Sequence, residues 1–212
     1  MRTKTLLLTA ALSAAGVATS MAQVFSVNAV GYVTKTVPAN GFALISNPLT
    51  ASDNSIKALF AGVPEGTQVY KYSGTAFKTA TFTFGEFGPA DAAALTVVPG
   101  EGVFVRNPTA QPMNITFVGE VPQGTLSNPL PVGLSIRSSM VPQEGTAAEL
   151  GLKGGEGDQI FQFNATTQKY ATSTFTFGDW GPALGKLAVG EAVFIKKVAA
   201  GTWDRTFSVN TP

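Results

Sequence analysis

The chain of 212 residues contains neither cysteine nor histidine. Without cysteine the fold must be held by burial, because no disulfide can form. Without either residue, Ser-His-Asp and Cys-His catalytic arrangements are excluded, as are zinc, iron and copper sites built from imidazole or thiolate ligands. The composition therefore predicts no metal site of these kinds and no cofactor, and it favours a protein that is not an enzyme.

Charge is scarce as well. The 14 basic and 13 acidic residues give a net charge of +1, and the basic residues are not clustered in a run. Nucleic-acid binding needs a dense cationic face, so a nucleic-acid partner is not expected. The one long apolar run, residues 6–18, is too short to cross roughly 30 Å of hydrocarbon. We therefore predict no transmembrane anchor in the mature chain.

The first 22 residues have the three-part pattern of a secretory signal. Arg2 and Lys4 precede the apolar run, and Ser20-Met21-Ala22 places small residues where a signal peptidase reads the chain. The pattern predicts a signal peptide over 1–22 with cleavage before Gln23. The mature protein is then exported to the periplasm, the cell surface or the extracellular space.

The mature part contains an internal repeat. Thr79–Ala90 and Thr172–Ala183 share nine of twelve residues, and the three differing pairs are Ala/Ser, Glu/Asp and Phe/Trp. Weaker similarity continues on both sides of these segments. After the signal peptide over 1–22, the repeat predicts three segments in the mature chain. These are an N-terminal strand segment over 23–40, a first β-repeat over 41–124 and a second β-repeat over 125–212.

Each repeat has the pattern of β-strands. In 79–84 the threonines alternate with Ala80, Phe82 and Phe84, which indicates a strand with one buried face. The continuous apolar runs 103–105 and 193–195 indicate strands buried on both faces. We predict an all-β fold of two tandem homologous β-units packed together, sandwich- or barrel-like. One short helix per unit is expected, within 52–60 and 146–152.

An acidic residue precedes an aromatic one at matched positions of the two repeats, Glu86-Phe87 and Asp179-Trp180. An aromatic ring stacks on the apolar face of a sugar while a carboxylate accepts hydrogen bonds from its hydroxyls, and two copies would bind bivalently. Alternatively, the rings fill the end of a β-core and the acids are solvated. A glycosidase also needs two carboxylates. Glu86 and Asp179, however, occupy matched positions and should have similar environments, whereas a catalytic acid and base need different environments to have different pKa values.

Three stretches, Asn28–Val33, Gly41–Leu49 and Pro99–Val105, resemble a group of exported proteins from Verrucomicrobia and related phyla. The resemblance implies export and a β-rich fold, and it transfers no catalytic residue.

These observations favour a non-enzymatic exported protein, a structural or adhesive β-module of the cell envelope or extracellular matrix. Its expected partners are other copies of itself, because exposed sheet edges of low charge pair readily, or a cell-surface polysaccharide. Two alternatives are a carbohydrate-binding module using the aromatic-acid pairs and a small carboxylate-dependent glycoside hydrolase.

Overall fold

A computed structural model describes residues 29–209, so the predicted signal peptide over 1–22 lies outside the described residues. The described part contains two short helices, α1 (Ile56–Leu59) and α2 (Ala90–Ala93). Its strands are β1 (Val30–Val37), β2 (Phe42–Ser46), β3 (Gln68–Tyr72), β4 (Phe77–Thr83), β5 (Glu86–Gly88), β6 (Gly102–Arg106), β7 (Met113–Glu120), β8 (Gly124–Leu130), β9 (Gly133–Arg137), β10 (Gln159–Asn164), β11 (Lys169–Thr176), β12 (Asp179–Gly181), β13 (Val193–Lys197) and β14 (Gly201–Phe207). No helix within residues 29–209 is long and apolar enough to cross a bilayer.

The strands form two five-stranded sheets with the same order, β2-β6-β3-β4-β5 and β9-β13-β10-β11-β12. Two antiparallel ribbons accompany them, β1–β7 and β8–β14. We call β1 to β7 the first unit and β8 to β14 the second unit. The predicted all-β class of two packed units is confirmed, and the arrangement is sandwich-like without a closed barrel.

Each ribbon packs on one face of its own five-stranded sheet. In the first unit, Val37 and Phe117 of the ribbon meet Val69 and Val105 of the sheet in one apolar core. The second unit repeats this arrangement with Leu130 and Trp203 of its ribbon against Ile160 and Ile195. Period-2 alternation of apolar side chains on these strands is what directs one face of each toward its ribbon.

The other faces of the two five-stranded sheets pack against each other. On β6, Val103 and Val105 face the first core whereas Phe104 faces the second unit, where its ring lies 4.9 Å from that of Phe163. In the reciprocal contact, Tyr72 lies 6.1 Å from Phe194. The prediction that 193–195 is buried on both faces is confirmed, whereas in 103–105 only Val103 and Val105 are buried and Phe104 is half-buried. The molecule has four layers: ribbon, sheet, sheet and ribbon.

Hydrogen bonds also cross the boundary between the units. The backbone N–H groups of Ser46 and Ser138 donate to the carbonyls of Gly190 and Gly100, at 2.9 and 3.0 Å. The side-chain amide of Gln168 bonds to both the N–H and the carbonyl of Phe42, each at 2.9 Å. These bonds fix the two sheets in one register.

Gly102 lies where the units touch, and a larger residue there tests the packing. A Cβ atom at Gly102 would lie 2.5 Å from Ile136 Cγ2 and closer still to Ala192 Cβ. We expect Gly102→Ala to lower the free energy of unfolding by about 1–3 kcal/mol in urea denaturation. The control is Gly185→Ala, whose Cβ has no neighbour nearer than 3.8 Å. Equal stability of the two variants would contradict close packing at this boundary.

Both helices lie in the first unit, so the prediction of one helix per unit is wrong. The helix expected within 52–60 is present as α1. In 146–152, Thr146 and Glu149 cap each other as at a helix start, and one helical hydrogen bond joins Leu150 N to Thr146 O at 3.0 Å. Gly151 then takes a φ of +85°, which ends the turn before a helix forms.

The predicted N-terminal strand segment contains β1. This strand pairs with β7 over its whole length, from Val30 opposite Glu120 to Val37 opposite Met113. The predicted division at residue 41 therefore separates two paired strands, and the structure places β1 within the first unit.

Candidate functional site: the two matched hairpins

The repeated segment forms a hairpin in each unit, β4–β5 and β11–β12. Thr83 pairs with Glu86 and Thr176 with Asp179, which leaves two-residue loops between the strands. A tight loop of this kind matches the twist of its strands when both central residues have positive φ. The values are 55° and 85° at Phe84 and Gly85, and 54° and 89° at Phe177 and Gly178.

Phenylalanine is an unusual residue for the first position of these loops. Positive φ brings Cβ close to the following carbonyl oxygen and costs about 1–2 kcal/mol, which glycine avoids and asparagine tolerates. Phe84 and Phe177 are both 100% exposed, so no burial of the ring offsets this strain. A strained and exposed aromatic side chain at matched places indicates selection for function rather than for stability. We call Phe84 and Phe177 the tip phenylalanines.

A carboxylate from a neighbouring loop holds each turn. Glu65 accepts the N–H groups of Phe84 and Gly85, both at 2.9 Å. Glu156 accepts the N–H of Phe177 at 3.1 Å. The exposed acids Glu86 and Asp179 follow the loops directly. Each tip therefore presents an exposed phenyl ring on a turn whose backbone is held by a carboxylate, with a second exposed acid next in the chain.

The sequence prediction for Phe84 was wrong. Alternation along 79–84 placed Phe84 on the buried face with Ala80 and Phe82, and those two side chains do contact the core. The strand ends at Thr83, because Phe84-Gly85 is the loop. In the sequence, the loop is marked by the dipeptide Phe-Gly between two short strand patterns. This dipeptide occurs at the same place in both repeats.

The two predicted binding residues of the first unit, Glu86 and Phe87, differ in their exposure to solvent. Glu86 is exposed, but Phe87 is only 8% exposed and packs against Phe82 with 5.1 Å between ring centroids. Its ring therefore has no free face on which a sugar can stack. In the first unit the geometry agrees with the alternative interpretation, a ring that fills the end of the core beside a solvated acid.

The matched residues of the second unit have different surroundings. Asp179 is exposed, and Trp180 is half-buried and meets Phe175 edge to face at 5.2 Å. Both residues line a cavity of about 210 Å³ whose other walls include Ile160, Leu184 and Ala147. The second hairpin thus has a recess beside its aromatic-acid pair.

Two polar atoms buried at this recess have no hydrogen-bond partner within the described part of the chain, Trp180 Nε1 and Ser173 Oγ. Ser173 is 1% exposed. The first unit has Ala80 and Phe87 at the same places, which carry no such atoms. The two substitutions therefore convert an apolar packing site into a polar one.

No second acid is present among the described residues that line the recess, so it lacks the carboxylate pair of a glycosidase. A second pair of acids at matched positions, Glu101 and Glu191, stabilises the turns before β6 and β13. Glu101 accepts a hydrogen bond from the N–H of Val98, and Glu191 accepts one from the N–H of Ala188. Across residues 29–209, no three or more acidic side chains gather as metal ligands.

An open groove lined by aromatic rings lies where the units meet. One hollow of about 350 Å³ adjoins another of about 240 Å³, and they share Tyr170 and Phe194. Their remaining walls are Phe42, Tyr70, Phe77 and Phe104 in the larger hollow, and Leu134 and Phe161 in the smaller. We call this surface the aromatic groove; Phe77 and Tyr170 are 47% and 49% exposed at its mouth.

Exposed cations lie on the groove side of the sheets. Arg106 and Lys196 follow Phe104 and Phe194 by two residues on β6 and β13, so they lie on the same faces. Arg106 donates a hydrogen bond of 3.1 Å to Gln68. Positive charge therefore lies beside the groove, on the strands that carry Phe104 and Phe194, although neither cation lines its two hollows.

Comparison with known proteins finds no matching family model, no matching curated protein and no matching solved structure.

Proposed function

We propose that this protein is a non-enzymatic exported structural β-module of the cell envelope or extracellular matrix that assembles with itself through its tip phenylalanines. The observation that carries the proposal is the pair Phe84 and Phe177, each fully exposed at positive φ on a turn held by a carboxylate. The signal pattern of residues 1–22 supports export.

The aromatic groove of a second copy is the complementary surface for a tip. Burying one phenyl ring contributes about 1.5–3 kcal/mol, and the groove offers ring faces to receive it. Each tip also carries two carboxylates, Glu65 with Glu86 or Glu156 with Asp179, whereas the exposed cations Arg106 and Lys196 lie beside the groove on β6 and β13. Opposite charges at the rim favour this orientation over tip-to-tip contact.

Tip and groove are different surfaces, so contact between them is head-to-tail. Such contacts extend into chains or layers unless the rotation between copies closes a ring. Two tips and two adjoining hollows on each copy raise the effective affinity above that of a single contact. This arrangement suits a structural material at the cell surface.

Sedimentation velocity tests the proposal directly. We expect the wild-type protein to associate as its concentration rises toward about 1 mM, which corresponds to a contact free energy near −4 kcal/mol. We expect F84N/F177N to remain monomeric, because asparagine keeps the loop conformation but removes the rings. The control is Tyr32→Asn, which removes a ring that is 79% exposed on β1 and should leave association unchanged.

A mixing experiment identifies the two surfaces. R106E/K196E reverses the groove charges and should associate weakly by itself, since the carboxylates of the tips are then repelled. Mixed with F84N/F177N, it should form complexes that neither variant forms alone, because one variant supplies tips and the other supplies grooves. A monomeric wild type, or undiminished association of F84N/F177N, would contradict the proposal.

A further inference from the structure

The contact between the two units is symmetric, which gives their boundary two equivalent clefts. A β-bridge joins Ile45 to Glu191, and an equivalent bridge joins Arg137 to Glu101 at the matched positions of the repeats. Each unit therefore offers the other the same surface. We call the cleft at Glu191, of about 530 Å³, the wide cleft, and the cleft at Glu101, of about 280 Å³, the narrow cleft.

In the narrow cleft the charged side chains neutralise one another. Lys71 lies 2.8 Å from the carboxylate of Glu101, and Arg137 lies 3.9 Å from the same carboxylate. The Lys71 ammonium also donates to the carbonyl of Thr96. Both cations of this cleft therefore have an anionic partner within the protein.

In the wide cleft the sheets supply no cation to the glutamate. Gln162 occupies the position that matches Lys71, and its amide donates to the carboxylate of Glu191 at 2.9 Å. Ile45 occupies the position that matches Arg137. The carboxylate is therefore oriented by a neutral side chain rather than by an ion pair.

Two lysines from outside the paired sheets line the wide cleft. Lys35, on β1, is half-buried and donates to the carbonyl of Val189 at 2.9 Å, whereas Lys186 is exposed in the loop before β13. Neither belongs to any of the four ion pairs within residues 29–209. Burial lowers the pKa of Lys35, and the charge of Glu191 offsets this effect only in part. A bound anion would compensate the cost of burying this ammonium.

We propose that the wide cleft binds a uronic acid residue of an acidic polysaccharide, with the carboxylate of the sugar between Lys35 and Lys186. An ammonium has three donors, and the described residues accept only one from Lys35. Two lysines and one glutamate are the charged residues that line this cleft within the described chain. Their single excess positive charge matches a carboxylate better than a phosphate monoester, which carries nearly two negative charges.

The other walls of the wide cleft suit a hydroxylated ring. Thr36, Asn164 and Thr166 line it with hydroxyl and amide groups, which donate and accept hydrogen bonds as sugar hydroxyls do. Ala165 and Ala171 add small apolar surfaces for the C–H groups of the ring. The volume lies within the range of roughly 300–1,000 Å³ that is usual for small-molecule sites.

Isothermal titration calorimetry tests the class of ligand. The ligands are the trisaccharides of galacturonic, glucuronic and mannuronic acid, at a salt concentration that screens unspecific attraction between charges. We expect at least one of them to saturate the protein at one ligand per chain. The neutral trisaccharide of the same sugar and linkage, which has a hydroxymethyl group in place of the carboxylate, should bind about tenfold more weakly or less.

Lysine variants test the position of the carboxylate. We expect Lys35→Met and Lys186→Met each to weaken the saturating uronate about tenfold or more. Because Lys186 is exposed, its replacement should leave the fold intact, which circular dichroism can verify. Lys71→Met is the matched control, since it removes the same charge from the narrow cleft and should leave uronate binding unchanged.

Backbone amide signals in NMR locate the ligand. The signals of Asn164 and Ala165 in the wide cleft should shift on addition of the uronate. Those of Ser73 and Gly74, at the matched positions in the narrow cleft, should not.

Self-association and uronate binding can fail separately. F84N/F177N should bind the uronate as the wild type does, and Lys186→Met should self-associate as the wild type does. The inference is overturned if no uronate saturates the protein, if neutral trisaccharides bind equally well, or if both lysine variants bind unchanged. Acetate or inorganic phosphate bound as tightly as the uronates would also overturn it, because the cleft would then be a plain anion site.

Discussion

Lys197→Met is expected to lower the free energy of unfolding by about 3–5 kcal/mol, the largest single effect at a residue away from the proposed sites. Lys197 forms an ion pair with Asp158, which is 1% exposed. The carboxylate also accepts the N–H groups of Gly155 at 2.7 Å and Val198 at 2.8 Å. Removing the lysine leaves this buried negative charge without its counter-ion.

Urea denaturation at neutral pH measures the loss. Lys196→Met is the control, because Lys196 is the exposed neighbour on β13 and its replacement should change stability by less than about 0.5 kcal/mol. Adding Asp158→Asn to Lys197→Met should restore part of the stability, since no buried charge then remains. If the double variant is no more stable than Lys197→Met, lost packing rather than the uncompensated charge is the cause.

The same pair gives a pH dependence. Burial alone would raise the pKa of Asp158, but hydrogen bonds from Lys197, Val198 and Gly155 and the lysine charge outweigh it and lower this pKa. A carboxyl whose pKa is lower in the folded state stabilises the fold above its unfolded pKa, and the contribution is lost as pH falls through the folded pKa. We expect wild-type stability to decrease below about pH 5 and Lys197→Met to show a smaller decrease or none.

F84N/F177N is expected to be more stable than the wild type, by about 1 kcal/mol for each tip. Asparagine adopts positive φ readily, and the wild-type rings bury nothing in the isolated chain that would be lost. For a chain of this length each kcal/mol raises the melting temperature by about 2–4 °C. Most exposed substitutions do not stabilise, so a gain at both tips would be diagnostic.

The control for this gain is Phe82→Asn, on the same hairpin two residues before the tip. Phe82 packs against Phe87 at negative φ, so its replacement removes buried apolar contact and should destabilise the protein. A loss of stability in F84N/F177N similar to that of Phe82→Asn would mean that the tip rings are structural.

The strands and their burial follow from local sequence pattern, because a period of two places alternate side chains on opposite faces. The prediction of burial on both faces is correct for Val193–Ile195, whereas within Val103–Val105 the Phe104 ring is only half-buried. The failed helix at 146–152 shows a limit of the same reasoning. Its capping residues behave as the sequence suggests, but Gly151 takes a positive φ and ends the turn.

The candidate sites were less accessible to sequence reasoning. In the sequence, Phe84 continues the alternation of apolar and polar residues along β4. The pairing of Thr83 with Glu86 shows that Phe84 belongs to the two-residue loop and not to the strand. Glu86-Phe87 and Asp179-Trp180 are equivalent in sequence, yet Phe87 is buried whereas Trp180 borders a recess. That difference depends on tertiary packing around Ala80 and Ser173, which one sequence does not disclose.

The most direct test of the central claim measures stability and association on one preparation of F84N/F177N. If the tip phenylalanines are kept for binding at the expense of folding free energy, the urea midpoint should rise above that of the wild type while self-association in sedimentation velocity disappears. A lower midpoint, or self-association equal to that of the wild type, would contradict the claim.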